Sequence, residues 1–145
     1  MTNFWALVGL ATLAGVFVTL QSQFMGTMTK QMGAYESVFF TYASGGVVIS
    51  LLMLLLRGGN LGAWRTAPWY VYTSGILGLL IVGSIGYTAA RLGLVMTFTI
   101  IVGSQFLLAA LLDHFGLLGA VMRPMDWTRA LGVVVLLVGV WLIIH

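Results

Sequence analysis

The stretch GILGLLIVGSIGYTAARLGLVMTFTIIVGSQFLLAALLDHF, residues 75–115, decides the fold. Between Gly75 and Leu112 its only charged side chain is Arg91. About 20 mostly apolar residues cross the hydrocarbon core of a bilayer, so this stretch holds most of two crossings. Arg91-Leu92-Gly93 separates them, and so short a turn makes the two antiparallel neighbours. Read outward from that turn, the third crossing is expected over 68–90 and the fourth over 94–112. Pro68 suits a helix start, where a missing N–H costs nothing.

The rest of the chain repeats the pattern. Crossings are expected over 4–28, 35–56 and 127–144, with Asp126 as the N-cap of the last. Arg57-Gly58-Gly59-Asn60 is a helix breaker after the second crossing. His114 to Met125 is apolar but too short to span, and is expected at the interface or as a short half-helix. The opening Met1-Thr2-Asn3-Phe4-Trp5 lacks the basic start of a signal peptide, so the first crossing is expected to be retained.

Composition agrees. Hydrophobic residues make up 61% of the chain and charged residues 6%. A soluble domain of 145 residues exposes about a third of its unfolded surface and could not hide that much apolar area. The expected fold is an all-α membrane protein of five transmembrane helices in a single domain, 1–145. The six basic residues, net charge +3, sit singly at the ends of apolar runs. A nucleic-acid binder would cluster them on one face, so no nucleic-acid partner is expected; the partner is the lipid bilayer.

Arg57, Arg65, Arg123 and Arg129 fall on the side of the N-terminus, and Lys30 and Arg91 on the other. That bias places the N-terminus weakly in the cytoplasm. Trp5, Trp64, Trp69 and Trp127 fall on the same side as an interfacial belt, with Trp141 the exception. A weak bias over an odd number of crossings permits dual topology. Two antiparallel copies would then reproduce the inverted repeat that many transporters carry within one chain. No internal repeat is visible here, so the symmetry must come from a second copy or a sister subunit.

Lipid gives helices no hydrophobic reason to associate, so small residues must let them approach. Thr12, Gly15, Thr19, Ser22 and Gly26 form one stripe on the first crossing. Gly75, Gly78, Gly83, Gly86, Ala89 and Ala90 enrich the third, and Gly132 and Gly139 lie seven apart on the fifth. Polar groups inside a crossing need a partner or a watery cavity. Gln21 and Gln23 on the first crossing and Thr97, Ser104 and Gln105 on the fourth are the candidate substrate-binding residues. The alternative for each is an interhelical hydrogen bond without a ligand.

Asp113, His114 and Glu36 are candidates for a gate or for proton coupling, all peripheral. Asp113 could instead pair with Arg123 or Arg129, and the helix dipole alone accounts for Glu36. Arg91 reads as a phosphate anchor. No crossing has a carboxylate at its centre, which argues against a deep acidic exchange site. The sequence contains no HExxH, no G-x-S-x-G, no Cys/His metal spacing and no phosphate loop, and no cysteine. No enzyme, cofactor or metal is expected.

Gly93-Leu94, Thr97, Val102-Gly103-Ser104-Gln105-Phe106 and Leu111-Leu112-Asp113-His114-Phe115-Gly116-Leu117-Leu118-Gly119 together resemble the YdcZ-like family of small bacterial inner-membrane proteins, in the drug/metabolite transporter (DMT) superfamily. Arg123-Pro124, Leu131-Gly132 and Leu137-Val138-Gly139-Val140 extend the likeness. It covers the full length and is strongest over 75–140. The first crossing departs: members often place an Asn a few residues after the glutamine, where this chain reads Gln21-Ser22-Gln23-Phe24-Met25-Gly26. The resemblance implies a multi-pass protein of the bacterial inner membrane, one half of a DMT-type inverted-repeat transporter. It would move a small metabolite or drug-like solute by alternating access, as an antiparallel homodimer or with a sister subunit. With so few charges, the solute is expected to be neutral, zwitterionic or a lipophilic cation. The alternatives are a non-transporting membrane subunit that stabilises or regulates another complex, and a small channel.

Overall fold

The structure, a computed structural model, describes residues 3–145. Five helices are long and apolar enough to cross a membrane: α1 (Phe4–Met32), α2 (Ala34–Leu55), α3 (Ser74–Leu92), α4 (Leu94–Phe115) and α5 (Trp127–Ile144). The crossings fall where the apolar runs predict them, with shifted ends. Helix α1 continues four residues past Met28, because nothing before Gly33 breaks it. Helix α4 continues past Leu112, so Asp113 and His114 belong to its last turn. The third crossing begins with a 3₁₀ segment, Trp69–Thr73, and becomes α-helical only at Ser74.

The chain divides into two compact units, 1–91 and 92–145. In the first, Gly33 alone joins α1 to α2. Its φ of 112° lies where a Cβ is strained, and this lets the chain reverse in one residue. The two helices then run back antiparallel, and the Thr29 hydroxyl lies 2.9 Å from that of Ser37. Ser37 gives its own proton to the Ala34 carbonyl, also at 2.9 Å, so Thr29 is the donor between them. Helix α3 closes against this end of the hairpin. A Cβ at Gly26 would touch Ala89 and Ala90 at 3.7–3.9 Å, and one at Gly86 would press Thr29 Oγ1 and Met25 Cε at 3.3 Å. Met25, Ile85 and Ala89 are buried here. Small residues of α1 and α3 thus pack as expected for helices in lipid: Gly26, Gly86, Ala89 and Ala90 meet at this contact, Gly78 and Gly83 approach Tyr42 and Val38 of α2, and Gly9, Gly15 and Gly75 have open space.

In the second unit α4 and α5 pair antiparallel. A Cβ at Gly103 would meet Val140 Cγ2 at 3.1 Å, so the backbone of α4 approaches α5 closely there. Asp126 accepts the Arg129 N–H at 2.8 Å and caps α5, as its sequence position predicts. The connection between the two helices is not a half-helix. Gly116, with a left-handed φ of 61°, ends α4, a short 3₁₀ turn spans Leu117–Gly119, and residues 120–126 carry no regular structure. Two bonds tie this loop back to α4: Arg123 N–H donates to the Asp113 carbonyl at 2.7 Å, and Met125 N–H donates to His114 Nδ1 at 2.9 Å.

Candidate functional site

In the first unit, a groove of about 640 Å³ runs between α1 and α2. Phe17, Phe24 and Phe40 make its apolar wall, and Gln21, Thr41 and Ser44 are its polar members. Thr41 and Ser44 spend their hydroxyl protons on the carbonyls of Ser37 and Thr41. Gln21 makes no side-chain hydrogen bond among the described residues, so its amide is the group in this groove free to bind. Gln23 is also exposed, on a different face of α1 from the groove. Glu36 lies in the first turn of α2 and folds its carboxylate back over Gly33, at the positive end of the helix dipole.

In the second unit, Gln105 sits at the middle of α4 and is exposed, with no side-chain hydrogen bond among the described residues. Its neighbour Ser104 is exposed but internally satisfied, donating to the Ile101 carbonyl at 2.8 Å. Thr97 is the opposite case. It is 1% exposed, yet its Oγ1 has no partner. Elsewhere the helix hydroxyls of Thr12, Thr19, Ser22, Thr27, Thr41, Thr88 and Thr99 each donate to the carbonyl one turn back. A buried hydroxyl left unpaired costs about 1–3 kcal/mol, so Thr97 stands apart from these on energy as well as geometry.

Asp113 is half-buried at the end of α4 and lines a second groove, of about 450 Å³, with Arg123 and Arg129. The pairing of Asp113 with either arginine, the alternative to a gating role, does not form: no ion pair within 4.0 Å occurs among the described residues. The contact runs through the backbone instead, from the Arg123 N–H to the Asp113 carbonyl. His114 serves as an acceptor for the loop. Arg91 lays its guanidinium 3.4 Å from the Tyr87 ring centroid and donates to the Tyr87 carbonyl. No group of three or more His, Cys, Asp or Glu able to hold a metal occurs among the described residues.

Two features were missed in the sequence. The Thr29–Ser37 bond had a signal, since both hydroxyls stand four residues from Gly33 on either side. The convergence of Thr41 and Ser44 on the Gln21 groove had none, because it depends on the rotation of α2 about its axis.

Five apolar helices, with unpaired amides within two of them, define a multi-pass membrane protein. The chain belongs to the family described as "Putative inner membrane exporter, YdcZ", which it matches over residues 6–142. That is an exporter family and not an enzyme family, and it places the protein in the inner membrane. No curated protein and no solved structure matches the chain.

Proposed function

We propose that the protein exports a small neutral, zwitterionic or lipophilic-cationic solute by alternating access, as an antiparallel homodimer or beside a sister subunit. The observation that carries this reading is Gln105. An amide at the centre of a crossing, exposed and unpaired, is costly in hydrocarbon. A partner copy and a solute-filled cavity remove that cost; a lone chain in lipid does not. Gln21, Gln23, Thr97 and Ser104 offer further hydrogen-bonding groups within the crossings, and Asp113, His114 and Glu36 lie at the ends. The family description supports export, and the few charges support a solute that carries little net negative charge.

The test is a comparison of solutes released into the medium by cells producing wild-type protein and Gln105→Leu at equal membrane levels. Wild type is expected to release at least one solute that the variant does not. Identical release from producing and non-producing cells would sink the exporter reading in favour of a non-transporting subunit. Steady conductance without saturation by any solute would favour a channel.

Assembly is tested separately. The chain has no cysteine, so His145→Cys gives a single label site. A membrane-impermeant reagent is expected to label about half of it in intact cells, as dual insertion requires. Labelling from one side only would leave the sister subunit as the source of the inverted partner.

A further inference from the structure

Apart from Asp113, the second groove has no part in the export reading. It lies between α4, α5 and the loop that joins them, and its depth is apolar: Phe106, Gly132 and Leu136 line it. Its mouth carries Arg123, Arg129 and Asp113. Neither guanidinium has a carboxylate within ion-pair distance among the described residues; the one side-chain bond either makes is Arg129 Nη1 to the Arg123 carbonyl, a long 3.4 Å. The lining therefore carries two positive charges against one negative. Trp127, 91% exposed, begins α5 beside it, which sets this end of the helix at headgroup depth. An apolar slot between two crossings, opening at headgroup level onto two arginines that make no ion pair and a net positive lining, is complementary to one class of molecule: an anionic amphiphile with a phosphate head and an acyl tail.

We propose that this groove binds an anionic membrane phospholipid. Arg123 and Arg129 hold the phosphate, and an acyl chain lies along Phe106 and Leu136 in the space that Gly132 leaves open, where a Cβ would meet nothing within 4 Å. Asp113 faces the same mouth and accepts from hydroxyls of a headgroup such as glycerol. The inference is independent of the export reading and requires only that the protein resides in a membrane.

The purified full chain in detergent, titrated with dioleoyl phosphatidylglycerol and observed by native mass spectrometry, tests it. Wild type is expected to retain phosphatidylglycerol well above dioleoyl phosphatidylcholine. Arg123→Ala with Arg129→Ala should lower the affinity for phosphatidylglycerol about twenty-five-fold, from about fivefold for each arginine near a charged headgroup. Arg57→Ala with Arg65→Ala removes the same charge from the other unit and should leave occupancy unchanged. Gly132→Leu fills the slot while keeping both guanidiniums, and should also displace the lipid; it decides the matter if the double arginine variant fails to give a monodisperse helical protein. Equal retention of the two lipids, unchanged binding in Arg123→Ala with Arg129→Ala, or an equal loss in the control variant would overturn the site. Competition by inorganic phosphate at the same concentration as the lipid would assign the arginines to free phosphate and overturn the lipid.

Discussion

The two compact units are made from the same kind of sequence, yet they treat their polar groups differently. In the unit of α1, α2 and α3, the buried hydroxyls are satisfied: Ser22 donates to the Val18 carbonyl, Ser37 to that of Ala34, and Thr29 reaches Ser37 across the hairpin. In the unit of α4 and α5, Thr97 is buried unpaired. In hydrocarbon an interhelical hydrogen bond is ordinary glue, worth about 0.6 kcal/mol on average. An unpaired group is a cost that some ligand or partner must offset. The first unit therefore uses its buried hydroxyls to hold itself together and leaves the exposed Gln21 and Gln23 amides unpaired. The second leaves the buried Thr97 hydroxyl and the exposed Gln105 amide unpaired, while Thr99 and Ser104 are satisfied within α4.

That contrast can be broken most directly at Thr97. Thr97→Val keeps the shape and removes the unpaired hydroxyl. If the hydroxyl serves a solute, release of the exported solute should fall about tenfold or more, the loss of one hydrogen bond worth about 1.4 kcal/mol, while thermal stability holds or rises. A variant that is less stable and still active would mean that Thr97 is structural, and the contrast would fail.

Gly86→Leu probes the packed end of the first unit. The new side chain must displace Met25 and the Thr29 hydroxyl, whose atoms lie 3.3 Å from the Cβ position. Overpacking there should cost about 2–3 kcal/mol, read as a lowered thermal midpoint in detergent. An unchanged midpoint would show that this end is not packed as described.

A smaller pair sharpens the comparison of helix contacts. Gly26→Ala adds a methyl at ordinary contact distance, 3.7–3.9 Å from Ala89 and Ala90, whereas Gly103→Ala puts one 3.1 Å from Val140. The first should change stability by less than about 0.5 kcal/mol, the usual range for a change that breaks no specific feature. The second should lower it by about 1 kcal/mol as Val140 gives way. The reverse order would mean that α1 and α3, not α4 and α5, make the tighter approach.

Much of the fold was legible because hydropathy is a local property. A window of about 20 residues reports whether a segment can cross a bilayer, and the crossings, the break at Arg57 to Asn60 and the Asp126 cap were all visible in that way. The end of α4 was not, because Asp113 and His114 look like a stop until Gly116 is seen to supply the left-handed turn. The loop after it read as a possible half-helix for the same reason: apolar residues near Pro124 give no hint of the bonds from Arg123 and Met125 back to α4. Among the site candidates, the polar identity of Gln21, Gln23, Thr97, Ser104 and Gln105 marked them in the sequence. Which of them keeps an unpaired group was not marked, since the burial of Thr97 and the direction of its hydroxyl depend on packing, whereas Ser104 is exposed and donates to the Ile101 carbonyl.

The sequence by itself determined that this chain lives in lipid, how many times it can cross and where its intramembrane polar groups fall, because burial in a bilayer depends on composition over a single helix. Only the tertiary structure decided that Gly33 brings Thr29 onto Ser37, that Thr97 is buried with no partner, and that Arg123 and Arg129 open onto an apolar slot without pairing with Asp113. Those outcomes depend on distances between helices and on the path of a loop, and a hydrogen bond is lost within about an ångström of its best length, well below what spacing along the chain can resolve.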